Sequence, residues 1–173
     1  TSLMVATLAV LVALVAGCAV GLAAATGGRF VDGLLMRLVD ALLAFPVLFL
    51  MILLAALTRP GPWLLVPVLG LTSWMGLARL VRGQVLSLRS RPFVLAARVA
   101  GSPWHRIWRW HYLRNMSGPV AQDVALRTGD LVLAEATLSF LGLGLPPTTA
   151  SWGALVREGQ RALRAVLHTE RVT

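Results

Sequence analysis

The chain is 173 residues long, 57% hydrophobic and only 13% charged, with a formal net charge of +9. That balance excludes an ordinary soluble domain, which needs far more polar surface to stay dissolved. All 16 cationic side chains are arginine, and they flank or connect apolar segments, which fits membrane topology signals and not a surface that tracks nucleic-acid phosphates.

The first apolar run, from about Leu3 to Ala25, carries no charge and is long enough to cross a bilayer as a helix. It is too long for a signal peptide and lacks the basic start and cleavage site of one. Within it Ala13, Gly17, Gly21 and Ala25 recur every fourth residue. On a helix they form a smooth ridge that lets a neighbouring helix approach closely, although small residues are common in any membrane helix. The single cysteine, Cys18, lies in this run; alone it makes neither an internal disulfide nor a cysteine zinc site, and packing is its expected role.

Gly27, Gly28, Arg29, Asp32 and Arg37 then read as a short polar connection. A second span is expected from about Leu38 to Leu57, kinked at Pro46. Asp40, at its boundary, reads as a helix-end contact. Thr58-Arg59-Pro60-Gly61-Pro62 is a turn by composition, and a third span follows from Trp63 to about Leu80. The stretch from Arg79 to Arg114 is the least hydrophobic part of the chain. It holds Arg82, Arg89, Arg91, Arg98, Arg106 and Arg109 with no acidic residue among them. A last span, from about Pro119 to Leu145, is unusually polar, with Gln122, Asp123, Arg127, Asp130 and Glu135 inside it. After Pro146-Pro147 the chain is mixed and basic to Thr173.

The arginine density places the 79–114 segment in the cytoplasm. Counting spans outward, the Gly27–Arg37 link is also cytoplasmic, whereas the Thr58–Pro62 turn, the tail after Pro146 and the start of the chain lie outside. Trp63, Trp104, Trp108 and Trp110 fall at the expected membrane boundaries, as interfacial tryptophans do.

Inside the basic segment, Ser90-Arg91-Pro92 reads as a helix start, with Ser90 as the candidate cap and Pro92 in the first turn. Phe93, Ala96, Ala97 and Ala100 follow at helical spacing and share one face. Gly101 ends the helix, and Ser102-Pro103 opens another that leads back into the membrane. A short helix with a low apolar face suits insertion into a groove of a partner. The alternative is an amphipathic helix lying on anionic lipid.

These residues carry a resemblance. Phe93-Val94-Leu95-Ala96-Ala97-Arg98-Val99-Ala100-Gly101, with Arg106-Ile107 and His111-Tyr112-Leu113-Arg114-Asn115, is similar to the EAA loop of binding-protein-dependent ATP-binding-cassette (ABC) importers. Leu133-Ala134-Glu135-Ala136-Thr137-Leu138-Ser139-Phe140-Leu141-Gly142-Leu143-Gly144, Ser151-Trp152-Gly153 and Met36-Arg37-Leu38-Val39-Asp40 resemble its dipeptide, oligopeptide and nickel permease branch. The resemblance implies an all-α polytopic transmembrane bundle of the type I ABC importer permease kind. It also implies one partial permease domain over 1–173, a cytoplasmic coupling loop over 90–115 and an extracytoplasmic tail over 146–173. Such a chain lies multi-pass in the cell membrane of a bacterium or archaeon. Its implied partners are ABC ATPase subunits, a second permease subunit, an extracytoplasmic substrate-binding protein and the lipid bilayer, with no nucleic acid. The chain itself is expected to be no enzyme and to bind no cofactor or metal, ATP and magnesium being held by the partner ATPases. The ATPase-docking residues carried over are Phe93, Ala96, Ala97, Arg98, Gly101 and Leu113.

Three departures stand out. Leu95 occupies a position where the family usually has Glu, and Arg114 one where it usually has Pro. The family continues into another membrane helix where Ala165 to Thr173 turns polar, so the expectation is either a helix missing at each end or a truncated gene product. In the polar span, Asp123, Arg127 and Asp130 are spaced to meet on one helix face. They read either as internal ion pairs or as a lining for a cationic substrate group, because charges in a bilayer must face the bundle or water. Asp130, Glu135 and Ser139 are the candidates for the translocation path. No Ser/His/Asp or Cys/His arrangement and no phosphate-binding glycine loop is present in the sequence. The expected cargo is a di- or oligopeptide, with nickel or another metal complex as the alternative. A degenerate, non-transporting scaffold is the reading from another class.

Overall fold

The structure, a computed structural model, describes residues 2–57, 62–145 and 149–169, with side chains described over 2–57, 63–145 and 149–164. Two long apolar segments dominate it. Helix α1 (Ser2–Thr26) and helix α4 (Pro62–Arg89) contain the two described helical stretches long and apolar enough to cross a membrane, Ser2–Thr26 and Trp63–Arg89. They pack in parallel: Gly70 meets Val12, Gly17 meets Leu77, and Gly21 meets Ala78 and Val81. Ala13, Gly17, Gly21 and Ala25 are all buried, so the small-residue ridge is the seam between these helices. A Cβ on Gly21 would stand 2.6 Å from the Ala78 carbonyl oxygen, and one on Gly17 would stand 2.8 Å from the Leu77 Cβ. In lipid, where apolar burial gives no driving force, such close backbone approach supplies the packing.

Between α1 and α4 the expectation needs correction twice. The polar link Gly27–Arg37 is helical, forming most of α2 (Gly28–Leu43), and the second span is not one helix. It breaks before Pro46, and α3 (Val47–Leu57) leaves α2 at 80°. Pro46 has no N–H to continue the ladder. Long-range contacts then set where α2 lies: Val39 packs with Met75 and Ala78 of α4, Asp32 pairs with Arg82, one arm at 2.6 Å, and Asp40 pairs with Arg79. These pairs hold α2 to the end of α4, so Asp40 is a partner of α4 and not merely a helix-end contact. Of the turn expected at Thr58–Pro62, only Pro62, the first residue of α4, is described.

Helix α5 (Pro92–Val99) and the three-residue α6 (Trp104–Arg106) follow. A π-helical segment, Ile107–Tyr112, then runs into α7 (Leu113–Leu141). Helix α7 runs antiparallel to α1 and α4. Its Met116 packs with Ala25 and Leu88, whereas its Leu131, Ala134 and Leu138 pack with Val5, Ala9, Leu65 and Leu69. It starts before the expected Pro119, which lies inside it, and stops at Gly142, whose φ of +86° is left-handed. At 29 residues it spans roughly 43 Å. Its charges nevertheless keep it out of the helices apolar enough to cross on composition. The mixed, basic tail contains an 18-residue helix, α8 (Trp152–Thr169), seated on the end of α7 through Gly153 and through Arg157, which donates to the Ser139 carbonyl. Pro146 and Pro147 lie outside the described residues.

Candidate functional site

The segment between α4 and α7 is built from local rules. Ser90 does not cap α5: its hydroxyl donates to the Ser87 carbonyl at 3.1 Å. The cap position is Arg91, in extended conformation, with Pro92 opening the helix. Proline serves there because its fixed φ suits the first turn, where no N–H is needed. At the other end Gly101 has φ +72°. Gly101 N–H donates to Arg98 O and Ser102 N–H to Ala97 O, both at 3.0 Å, a Schellman closure that needs a left-handed residue. Pro103, not Ser102, then stands at the cap of α6.

The placement of α5 divides its residues. Val94 is fully buried, and Ala97 packs beside it in a cluster with Leu88, Ile107 and Tyr112. Arg98 is also half-buried: it donates to the Tyr112 hydroxyl at 3.1 Å and lies 5.4 Å from the Trp104 ring centroid. The expectation that Ala97 shares the open face with Phe93, Ala96 and Ala100 is therefore corrected, and Arg98 also points inward. The open side of the helix carries Phe93, Leu95, Ala96, Val99 and Ala100, without a charge among them. Phe93 is steadied by the His111 ring, 5.8 Å between centroids. Leu113, the first residue of α7, is exposed nearby in sequence, beyond the π turn. Sequence reasoning missed the edge-to-face stack of Trp104, Trp108 and Tyr112. Its four-residue spacing is the available signal, hidden behind the reading of Trp104 and Trp108 as interfacial anchors.

A second feature lies midway along the bundle. Arg127 binds Asp123 with both arms and donates to the Ser73 carbonyl of α4 at 2.7 Å. Of the two pairings the spacing allowed, Asp123 is made. Asp130 is exposed and lines, with Arg127, Thr72, Ser73 and Thr137, a cleft of about 430 Å³ otherwise walled by apolar residues of α2, α3, α4 and α7. Glu135 and Ser139 do not line it. Both are buried, the Ser139 hydroxyl donates to a Glu135 carboxylate oxygen at 2.6 Å, and it accepts from Leu145 N–H at 3.0 Å. Among the described residues no group of three or more His, Cys, Asp or Glu is placed to hold a metal ion.

The family model of the binding-protein-dependent transport system inner membrane component matches residues 4–168. The chain is 39% identical over 139 residues to the dipeptide transport system permease protein DppC of Bacillus subtilis (strain 168), covering 80% of this chain and 43% of that protein. It is 44% identical over 133 residues to the oligopeptide transport system permease protein OppC of Haemophilus influenzae, covering 77% and 42%. It is 45% identical over 156 residues to a putative peptide transport system permease protein of Brucella suis biovar 1, covering 89% and 51%. The chain thus spans about half the length of the curated relatives it matches. With the match running nearly end to end through helices of this arrangement, the chain belongs to the family of binding-protein-dependent transport system inner membrane components.

Proposed function

We propose that the chain is the membrane-spanning permease subunit of an ABC importer, and that the importer carries di- or oligopeptides delivered by an extracytoplasmic binding protein. The observation that carries this reading is the open face of α5, wholly apolar and presented at an angle set by Gly101. Such a face, unpaired at the base of two membrane helices, suits a groove on a cytoplasmic ATPase subunit. ATP and magnesium then act in the ATPases, and this chain contributes no catalysis. Closure of the ATPases would move α5 as a rigid piece, and α4 and α7, to which it is joined, would follow. A second permease subunit completes the pathway, and the assembly sits multi-pass in a bacterial or archaeal cell membrane. Peptide is preferred to nickel because the relatives reported above are named as dipeptide, oligopeptide and peptide permeases. In this reading Asp130 faces the path, where its carboxylate can meet a cationic peptide terminus, and the Glu135–Ser139 pair braces the end of α7.

The test uses the chain co-expressed with its ATPase, second permease and binding protein. The expected result is co-purification and ATP hydrolysis stimulated by loaded binding protein. Ala96→Glu, on the open face, should weaken co-purification at least tenfold, and Gly101→Val should abolish the stimulation. If both variants assemble and respond as the parent does, docking through α5 is wrong. An assembled parent with no stimulation by any peptide favours the non-transporting scaffold.

A further inference from the structure

At the end of the bundle that carries α5, a cavity of about 350 Å³ opens between α1, α4, α5 and the start of the π segment. Its polar lining is Arg89 from α4, Arg98 from α5, the hydroxyls of Thr26, Ser102 and Tyr112, and Trp104. None of the described acidic residues lines it. The three ion pairs among the described residues use Arg79, Arg82 and Arg127, which leaves both cavity arginines without a carboxylate. Arg98 is held in place between the Tyr112 hydroxyl and the Trp104 ring. Its guanidinium is thus fixed before any ligand arrives. Arg89 is exposed at the last turn of α4, and its side chain makes no hydrogen bond among the described residues.

Two guanidiniums with the Ser102 and Tyr112 hydroxyls, and no counter-charge, describe an anion site; the Thr26 hydroxyl donates instead to the Leu22 carbonyl at 2.8 Å. Guanidinium forks match a phosphate group in bidentate fashion. The level of the cavity selects the source. It lies where the apolar run of α1 gives way to Thr26, beside Ala25, Val85 and Ile107. That is the height at which headgroups meet hydrocarbon, and basic pockets between membrane helices at that level take phospholipid headgroups. We propose that this cavity seats the phosphate of an anionic phospholipid, with Arg98 as the preset contact and Arg89 as the arm that closes over it. The site is independent of what the importer carries.

The experiment uses the full complex purified in detergent. Retention of phosphatidylglycerol is measured by native mass spectrometry and by exchange of a fluorescent phosphatidylglycerol from vesicles. The parent should retain phosphatidylglycerol in preference to phosphatidylcholine. Arg89→Gln should weaken retention by about tenfold, as loss of one charge-assisted hydrogen-bonding group does, and Arg89→Gln with Arg98→Gln should abolish it. Arg109→Gln, which removes the same charge outside the cavity, should leave it unchanged. Equal losses for Arg109→Gln and Arg89→Gln, or equal retention of phosphatidylcholine, would overturn the proposal. Displacement by millimolar inorganic phosphate would assign the cavity to a free anion and overturn the lipid source. Because Arg89 is exposed, its variant tests the site even if the Arg98 variant unfolds.

Discussion

At the scale of single residues, the fold depends on positions where nothing larger than hydrogen fits. Gly21 is the tightest of these on the α1–α4 seam, since its missing Cβ faces backbone and not the end of a flexible side chain. Gly21→Leu should destabilise the bundle by about 1–3 kcal/mol, the usual cost of overpacking, read as a lower melting temperature in detergent. An unchanged melting temperature would mean that the two helices do not pack through this ridge. Gly101 differs in kind. A Cβ there has open space around it, and the penalty for any other residue comes from the left-handed backbone, on the order of 1–2 kcal/mol.

At the scale of elements, α2 is tied to α4 by charge as well as by apolar burial. Its one fully buried residue, Val39, packs with Met75 and Ala78 of α4, flanked by Met36, Leu42 and Leu43, and the Asp32–Arg82 and Asp40–Arg79 pairs add to that contact. Both side chains of the first pair are about a third exposed or less. A double-mutant cycle with Asp32→Asn and Arg82→Gln, followed by denaturant unfolding, should return a coupling of about 0.2–1 kcal/mol. A coupling of zero would leave the 80° break without its electrostatic support. Here the limits of the sequence are visible. The helices, the small-residue ridge and the Gly101 turn were legible because each follows from spacing within a few residues. The break at Pro46 was legible only as a kink, because its angle depends on partners 39 and 50 residues away. The inward turn of Ala97 and Arg98 was hidden for the same reason, since the face that α5 buries is chosen by Tyr112 and Trp104. The π turn has no short-range signature that was read, and α8 was obscured by its arginines, of which Arg157 turns back onto α7.

At the scale of the whole molecule, the parallel run of α1 and α4 fixes which ends share a side of the membrane. Thr26 and Ser90 belong to one end, and Thr149, beyond α7, belongs to the other. In a Cys18→Ser background, Thr26→Cys and Ser90→Cys should react with an impermeant thiol reagent from the same side, and Thr149→Cys from the opposite side. On the function proposed above, the first side is the cytoplasmic one, so Thr26→Cys and Ser90→Cys should react from inside. Labelling of Thr26→Cys and Ser90→Cys from opposite faces would contradict the parallel packing itself.

The open face of α5 has one more consequence. With Leu95 among its exposed residues, the face holds no group that a salt ion could screen. An attachment made through it gains from excluding water and owes little to Coulomb attraction, so raising the ionic strength should not loosen it. Its partner would be chosen by the shape of the groove, because the charged contacts that ordinarily fix register and reject wrong partners are absent from this side of the helix.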